Sequence, residues 1–309
     1  MVRRIGPGWR LLAALFVLLV AGTARAADRI AVVATFSVIG DMLAAIGGDH
    51  LAITTIVRAG GDCELYQPTP ADVGTVAAAR AVFMNDLNEE FEPWIEPLLK
   101  QAQFKGTKAV VTRGVHTIAA EEEHPVSGKM LPETVDQHAW LDPRNGVVYV
   151  RNIAAALARL DPPNADDYKT RAAAYTRQIQ AVDDWARKEM AAVPPAKRRA
   201  LTSHDSLQYI AGAYGITLVS INGWTNKNEP SAEELAKLAR QIRTDRVKAL
   251  FLDSITDPRA MERIATETGA VIGGTLYGDS LSPPGGEADT YLAMLRHDVA
   301  TLKSGMMKN

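Results

Sequence analysis

Histidine and carboxylate side chains gather in four short polar segments that border apolar stretches of this sequence. The four segments are Gly61-Asp-Cys-Glu64, Asp136-Gln-His-Ala-Trp140, Ser203-His-Asp205 and Tyr277-Gly-Asp-Ser280. Imidazole nitrogen combined with carboxylate oxygen is a donor set for first-row divalent metals. One histidine beside a tryptophan is more often structural than metal-binding. A metal centre therefore requires that the fold bring several of these segments to one place.

Short apolar stretches alternate with helix-like stretches along both halves of the chain. Predicted strands cover 29–36, 51–57, 81–84, 109–112, 199–203, 217–222, 249–253 and 270–276, and predicted helices cover 37–46, 146–160, 206–214, 231–244, 257–268 and 288–303, with one more helix starting at Thr69-Pro70. This alternation indicates βαβ units and parallel sheets. Ligands bind beyond the carboxyl ends of the strands in such sheets, so we expect the four polar segments to face one cleft.

The longest helical pattern covers residues 164–193. Two proline pairs flank it, Asn164 is a predicted N-cap, and apolar residues recur at three-four spacing. A helix of about 30 residues spans about 45 Å, which suits a rigid brace between two bodies. We therefore predict an α/β fold with two Rossmann-like lobes, residues 27–163 and 194–309, whose parallel sheets are joined by one long rigid helix.

The first 26 residues have the features of a cleaved signal peptide. Basic residues at 3, 4 and 10 precede an apolar run over 11–20, and Ala24-Arg-Ala26 has the form of a cleavage site. The run is shorter than the roughly 20 residues that span a membrane. The single cysteine, Cys63, lies far from this site and cannot form an internal disulfide. We expect an exported periplasmic protein without a lipid anchor.

Charge argues against polyanionic partners. The formal net charge of −2 becomes −6 when the four arginines of residues 1–26 are removed. A mildly acidic surface is unfavourable for binding nucleic acid or an anionic membrane. Hydrophobic content of 47% and charged content of 23% are typical of a globular protein. We expect a monomer.

Residues 117–134 interrupt the strand-helix alternation. The segment is polar, has little periodicity and contains Glu121, Glu122, Glu123 and His124. We interpret it as a mobile surface loop. Its acidic residues are either a solvated surface or a loop that acquires metal for the centre.

Several longer motifs resemble one family of transport proteins. They are Tyr66-Gln-Pro-Thr-Pro-Ala-Asp72, His138-Ala-Trp-Leu-Asp-Pro143, Thr202-Ser-His-Asp205 and Gly278-Asp-Ser280, in this order. Over residues 28–309 the chain resembles the solute-binding proteins of zinc/manganese/iron ABC transporters, particularly the zinc type. The resemblance implies a metal held between two lobes by position 64, His138, His204 and Asp279. It also implies delivery to a membrane permease with its ATPase, and a periplasmic metallochaperone is a further candidate partner.

Position 64 departs from the family pattern, which has histidine there. Glu64 can still bind a metal as a carboxylate, and its neighbour Cys63 is the rival ligand. A thiolate favours zinc over manganese, whereas a carboxylate suits either. Two imidazoles favour Zn²⁺, with Mn²⁺ or iron as the alternative cargo.

Two other functional classes remain open on sequence grounds. A metal-dependent hydrolase needs three ligands and an open water position, with Asp205 or Glu64 as the base. A binding protein for a siderophore or corrinoid shares the helix-bridged architecture but needs aromatic or arginine groups in its cleft. We predict a binding protein and not an enzyme.

Overall fold

The computed structural model describes residues 29–87, 91–120, 134–219, 232–245 and 247–309. The predicted signal peptide and the predicted metal-acquiring residues Glu121, Glu122, Glu123 and His124 lie outside these ranges. No helix within the described ranges is both long and apolar enough to cross a membrane.

The first lobe is built on a four-stranded parallel sheet. Its strands are β1 (Ile30–Phe36), β2 (Leu51–Val57), β3 (Ala81–Met84) and β4 (Thr107–Val110), in the order β2-β1-β3-β4. Its helices are α1 (Ser37–Gly47), α2 (Pro70–Ala78), α3 (Ile95–Gln101) and α4 (Pro143–Leu160). All four residues of β3 are buried, as expected for a strand covered on both faces. The short helix α3 was not predicted.

The second lobe repeats this topology. Its strands are β7 (Arg199–Thr202), β8 (Thr217–Val219), β9 (Ala249–Asp253) and β10 (Val271–Leu276), in the order β10-β9-β7-β8 and all parallel. Its helices are α6 (Gln208–Tyr214), α7 (Ala232–Asp245), α8 (Arg259–Thr268) and α9 (Tyr291–Met306). The strand order reverses beside β1 and β7, which is where open α/β sheets bind ligands.

The predicted surface loop 117–134 has ordered ends. Strand β5 (Ala119–Ala120) pairs antiparallel with β6 (Thr134–Val135), so the prediction of a loop was wrong at both ends. The Asp136 N–H also donates to the Ile118 carbonyl at 3.0 Å. The paired ends fix the direction from which the chain enters the segment around His138.

The long predicted helix is α5 (Ala165–Ala191), with 27 residues. Its buried stripe packs against α4, α9 and α1, so it contacts helices of both lobes. Asn164 does not cap it, because its amide donates to the Asp161 carboxylate at 2.7 Å. Two lobes with parallel sheets and a long helix confirm the predicted fold class. The domain boundaries at 163/164 and 193/194 stay a prediction.

One hydrophobic core runs through both lobes. A single cluster of buried residues extends from β1 and α1 through α5 to β9 and α9, and a smaller cluster lies between the second sheet and helices α7 and α8. Tyr291, the first residue of α9, is fully buried. Its hydroxyl donates to the Trp140 carbonyl of the first lobe at 2.6 Å. The lobes are therefore packed together as well as linked by the chain.

Candidate metal centre

His138 immediately precedes the short helical turn Ala139–Leu141 at the entrance to α4, and a carboxylate holds its ring on the far side from Asp279. The Asp136 carboxylate accepts hydrogen bonds from both the backbone N–H and the ring Nδ1 of His138, each at 2.8 Å. The imidazole also packs edge-on against Phe91 and Trp140. A carboxylate on Nδ1 fixes the tautomer and directs Nε2 outward, which is the usual arrangement behind a metal-binding histidine.

His204 and Asp279 approach His138 from the second lobe. His204 follows β7 and Asp279 follows β10, so both lie at carboxyl ends of strands. One Asp279 oxygen is 2.9 Å from His138 Nε2, and the other is 3.0 Å from His204 Nε2. The three residues expose only 3%, 5% and 2% of their surface for His138, His204 and Asp279, respectively.

These short contacts lack hydrogen-bond geometry. His138 Nε2, His204 Nε2 and both Asp279 oxygens are fully buried, and no hydrogen bond satisfies them among the described residues. Leaving several buried polar atoms unsatisfied is costly in a folded protein. Two imidazole nitrogens that each face one oxygen of the same buried carboxylate, at 2.9 and 3.0 Å, are a set of atoms that a bound cation would satisfy, so the donor set fits a metal.

Glu64 completes the group from the first lobe. One ligand atom of each of Glu64, His138 and His204 lies within 4.8 Å of the others. Asp279 is not in that group of three, but its direct contacts with both imidazoles place it in the same site. The Asp62 carboxylate accepts the N–H groups of Glu64 and Leu65 at 2.8 and 3.1 Å, which turns the loop after β2 toward the cleft.

Cys63, the rival ligand, faces the core. Its side chain is buried, and it does not belong to the ligand group found among the described residues. Burial, with a smaller contribution from the Glu92 carboxylate, raises the pKa of the Cys63 thiol well above its usual range. A metal ligand must be the thiolate, so this geometry favours Glu64.

Charge coupling dominates the site. Burial lowers the pKa of His204, but the Asp279 and Asp253 carboxylates more than offset this and raise it to about 9. The pKa of His138 is also raised, because Asp279 and Asp136 outweigh the effect of burial. In return, the two imidazoles hold the pKa of Asp279 below its usual range despite burial. Without metal, imidazolium groups balance the carboxylate.

The segment carrying Asp279 is fixed on both sides. The Trp140 indole N–H donates to the Gly278 carbonyl at 2.9 Å, across the lobes. A side chain at position 278 would collide with Ser206 and approach Asp253, so only glycine fits. Tyr209 adds a second contact between lobes, because its hydroxyl donates to the Asp136 carbonyl at 2.9 Å.

Sequence reasoning missed the residues that support the ligands. Asp253 lies at the end of β9 beside His204 and Asp279, and burial followed by the Asp279 charge raises its pKa to about 6. Applying the strand-end rule to β9 would have found it. Asp136 could have been found from its position two residues before His138. Gln137 gave no signal in the sequence.

The structure brings His138, His204, Asp279 and Glu64 together at one cleft. His50 lies elsewhere and is bonded to Asp167 at 2.8 Å.

Comparison with known proteins extends this picture. The model of the ZnuA family, described as zinc-uptake complex component A, periplasmic, matches residues 32–305. The iron ABC transporter substrate-binding lipoprotein MtsA of Streptococcus pyogenes serotype M1 is 32% identical over 285 residues, which cover 91% of this chain and 90% of MtsA. MtsA is named a lipoprotein, which conflicts with our prediction that this protein has no lipid anchor.

Solved structures with the same fold include metal-bound proteins. The manganese-bound periplasmic metal-binding protein of Candidatus Liberibacter asiaticus is 30% identical with a TM-score of 0.78, covering 90% of this chain and all of that one. The periplasmic zinc-binding protein TroA of Treponema pallidum is 24% identical with a TM-score of 0.80, covering 90% and 99%. At that identity, the likeness to TroA speaks for the fold alone.

Proposed function

Because this chain belongs to the ZnuA family of periplasmic metal-uptake proteins, we propose that it captures Zn²⁺ between its lobes and delivers it to an ABC permease. Membership itself makes it a substrate-binding component of a metal ABC transporter, acting outside the cytoplasm with a permease and an ATPase. It also separates the chain from metal-dependent hydrolases. The proposal concerns which metal is carried and which residues hold it.

The observation that carries the assignment is the set of buried contacts around Asp279. Both of its oxygens lie about one hydrogen-bond length from imidazole nitrogens, at 2.9 and 3.0 Å, yet none of these atoms is satisfied by a hydrogen bond in the described part of the chain. We assign His138, His204, Asp279 and Glu64 as the ligands. Two ligands come from each lobe, so the bound ion joins the lobes.

Zinc is the preferred cargo on the chemistry of these donors. Two neutral imidazoles and two carboxylates give a four-ligand set that suits tetrahedral Zn²⁺. Such sites bind Zn²⁺ more tightly than Mn²⁺ or Fe²⁺ at equal supply. Glu64 is half-buried and is the least buried of the four proposed ligands.

Manganese is the second candidate. The Liberibacter protein, which is similar over nearly the whole chain, is described as manganese-bound, and MtsA is named for iron. Carboxylate in place of a third imidazole also makes the donor set harder, which reduces the advantage of zinc.

Competition between the two metals tests the proposal. Metal-free protein mixed with equal Zn²⁺ and Mn²⁺ and then desalted should retain one zinc per chain by elemental analysis. We expect Asp279→Ala and His204→Ala each to weaken zinc binding by at least about 100-fold. Loss of a residue that only supports a ligand typically lowers metal affinity by about 10- to 100-fold, and loss of a ligand itself should lower it at least as much.

Asp205→Ala is the matched control for these variants. Asp205 is an exposed carboxylate next to His204 that bonds Gln208 at 2.7 Å. We expect its loss to leave zinc affinity unchanged. Unaltered zinc affinity in both Asp279→Ala and His204→Ala would disprove the assignment, and preferential retention of manganese would replace zinc as the cargo.

A further inference from the structure

Gln137 lies directly behind the least buried ligand. Its amide nitrogen donates to Glu64 Oε1 at 2.9 Å, although the two residues are 73 positions apart in sequence. Resting on the proposed function, we infer that Gln137 is a specificity-determining residue, which holds Glu64 as a one-oxygen ligand and thereby favours four-coordinate Zn²⁺ over Mn²⁺.

Gln137 is a fixed donor. Its side chain is buried, and its backbone carbonyl accepts the Asn85 amide at 3.0 Å. Asn85 is itself held by a buried network, because its backbone N–H donates to Glu92 at 3.0 Å and its carbonyl accepts from Thr112 at 2.6 Å. The Tyr149 hydroxyl donates to its side-chain oxygen. This network fixes the backbone from which the Gln137 side chain extends, and burial restricts the side chain itself.

The chemistry of the pair sets the orientation of the amide. An ionised carboxylate only accepts hydrogen bonds, so Gln137 must present its NH₂ group and not its oxygen to Glu64. The bond engages Oε1 from the side of the first lobe. Each carboxylate oxygen has two lone pairs, so the bond does not block Oε1; it biases Glu64 toward the orientation in which Oε1 faces Gln137, and turning both oxygens toward one ion would bend that bond.

Coordination number is where zinc and manganese differ. Structural and transport sites for Zn²⁺ are commonly four-coordinate, whereas Mn²⁺ prefers six oxygen-rich positions. Two imidazoles, one Asp279 oxygen and one Glu64 oxygen make four. A second oxygen from Glu64 would raise the coordination number to five, which is closer to what Mn²⁺ prefers. Gln137 opposes that fifth contact.

The test is the ratio of zinc to manganese affinity in Gln137→Met, which keeps the side-chain length and removes the donor. We expect zinc affinity to fall about tenfold, as for other residues that orient a ligand, with manganese affinity unchanged or higher. In the Co²⁺-loaded protein, the intense visible absorption of four-coordinate cobalt should weaken. Gln137→Glu, which puts an acceptor in place of the donor, should shift the ratio in the same direction.

Gln208→Met is the matched control. Gln208 also donates to a carboxylate next to a ligand, Asp205 beside His204, at 2.7 Å, but on the exposed side. We expect its loss to leave the affinity ratio and the cobalt spectrum unchanged. A double-mutant cycle adds a second check, because Gln137→Met should have no further effect on the ratio in a Glu64→Ala background.

The outcomes separate this inference from the proposed function. If wild-type protein binds neither metal with one ion per chain, the proposed function fails. If wild-type protein binds zinc normally but Gln137→Met and Gln137→Glu leave the ratio unchanged, only the role of Gln137 is overturned. Equal loss of both metals, or an effect that persists without Glu64, likewise reduces Gln137 to a structural residue.

Discussion

Asp279 is the residue on which the chemistry of the site depends. Its carboxylate touches an imidazole from each lobe, at 2.9 Å from His138 and 3.0 Å from His204. This contact raises the pKa of both histidines above their usual range while lowering that of Asp279. In the metal-free site, protons therefore occupy the imidazole nitrogens that the metal must bind, and the metal competes with these protons.

Zinc binding should release protons and strengthen as pH rises. His204, with a pKa of about 9, is protonated near pH 7, as is His138, and an imidazolium cannot bind a metal. Apparent zinc affinity should thus increase as pH rises from 6 toward about 9. Calorimetry in two buffers of different ionisation enthalpy measures the protons released, and identical heats in both buffers would contradict the prediction. Asp205→Asn serves as a control that should not change the number of protons.

A short helical turn beside the ligands connects the two lobes. Trp140 belongs to the turn Ala139–Leu141 and is fully buried against Phe36 and Phe91. Its indole N–H bonds the Gly278 carbonyl across the cleft. One side chain thereby sets the separation between His138, two residues earlier in the chain, and Asp279, the residue after Gly278.

Removing the Trp140 donor should weaken this connection between the lobes. Trp140→Phe leaves the buried Gly278 carbonyl without its partner, and we expect it to destabilise the protein by about 2–4 kcal/mol, from a lost hydrogen bond and a cavity. Zinc affinity should fall as well. Chemical denaturation of the metal-free protein measures the loss of stability.

Trp185→Phe is the control, at a partly exposed position stacked on Arg296. It should lower the free energy of unfolding by less than about 1 kcal/mol. Equal losses for the two variants would argue against a special role of the Trp140 hydrogen bond.

At the scale of the whole molecule, the two lobes form one packed body. The core cluster includes residues of both sheets and the fully buried Tyr291 of α9. The Asp41 carboxylate of α1 accepts both the Tyr291 backbone N–H at 3.0 Å and the Tyr175 hydroxyl of α5 at 2.9 Å. Three helices thus meet at the half-buried Asp41 carboxylate, and a large opening of the lobes would break these contacts.

We expect the metal-free protein to unfold in one cooperative transition. A core shared by both lobes leaves neither able to unfold while the other stays intact, so the calorimetric and van't Hoff enthalpies should agree. Tyr291→Phe, which removes the donor to the buried Trp140 carbonyl, should lower stability by about 1–3 kcal/mol. Half-buried Tyr277→Phe is the control. Two resolved transitions in the wild-type protein would show that the lobes fold independently.

Local patterns were sufficient for most of the fold. Apolar stretches of four to eight residues predicted β1, β2, β3 and the strands of the second lobe, since the strands of parallel sheets are rich in apolar residues. The proline pairs placed the ends of α5 within two residues. Prediction failed where contacts are distant, as in the pairing of Ala119–Ala120 with Thr134–Val135, because no local periodicity encodes a two-residue ribbon.

The sequence by itself determined the donor types, because His138, His204 and Asp279 lie within recognisable polar motifs. Only the tertiary structure decided the rest of the site. It turned Cys63 into the core, brought Asp253 beside His204, and joined Gln137 to Glu64 over 73 positions. The physical reason is that side-chain direction within a loop depends on what packs behind it. Those partners come from chain segments far apart in sequence.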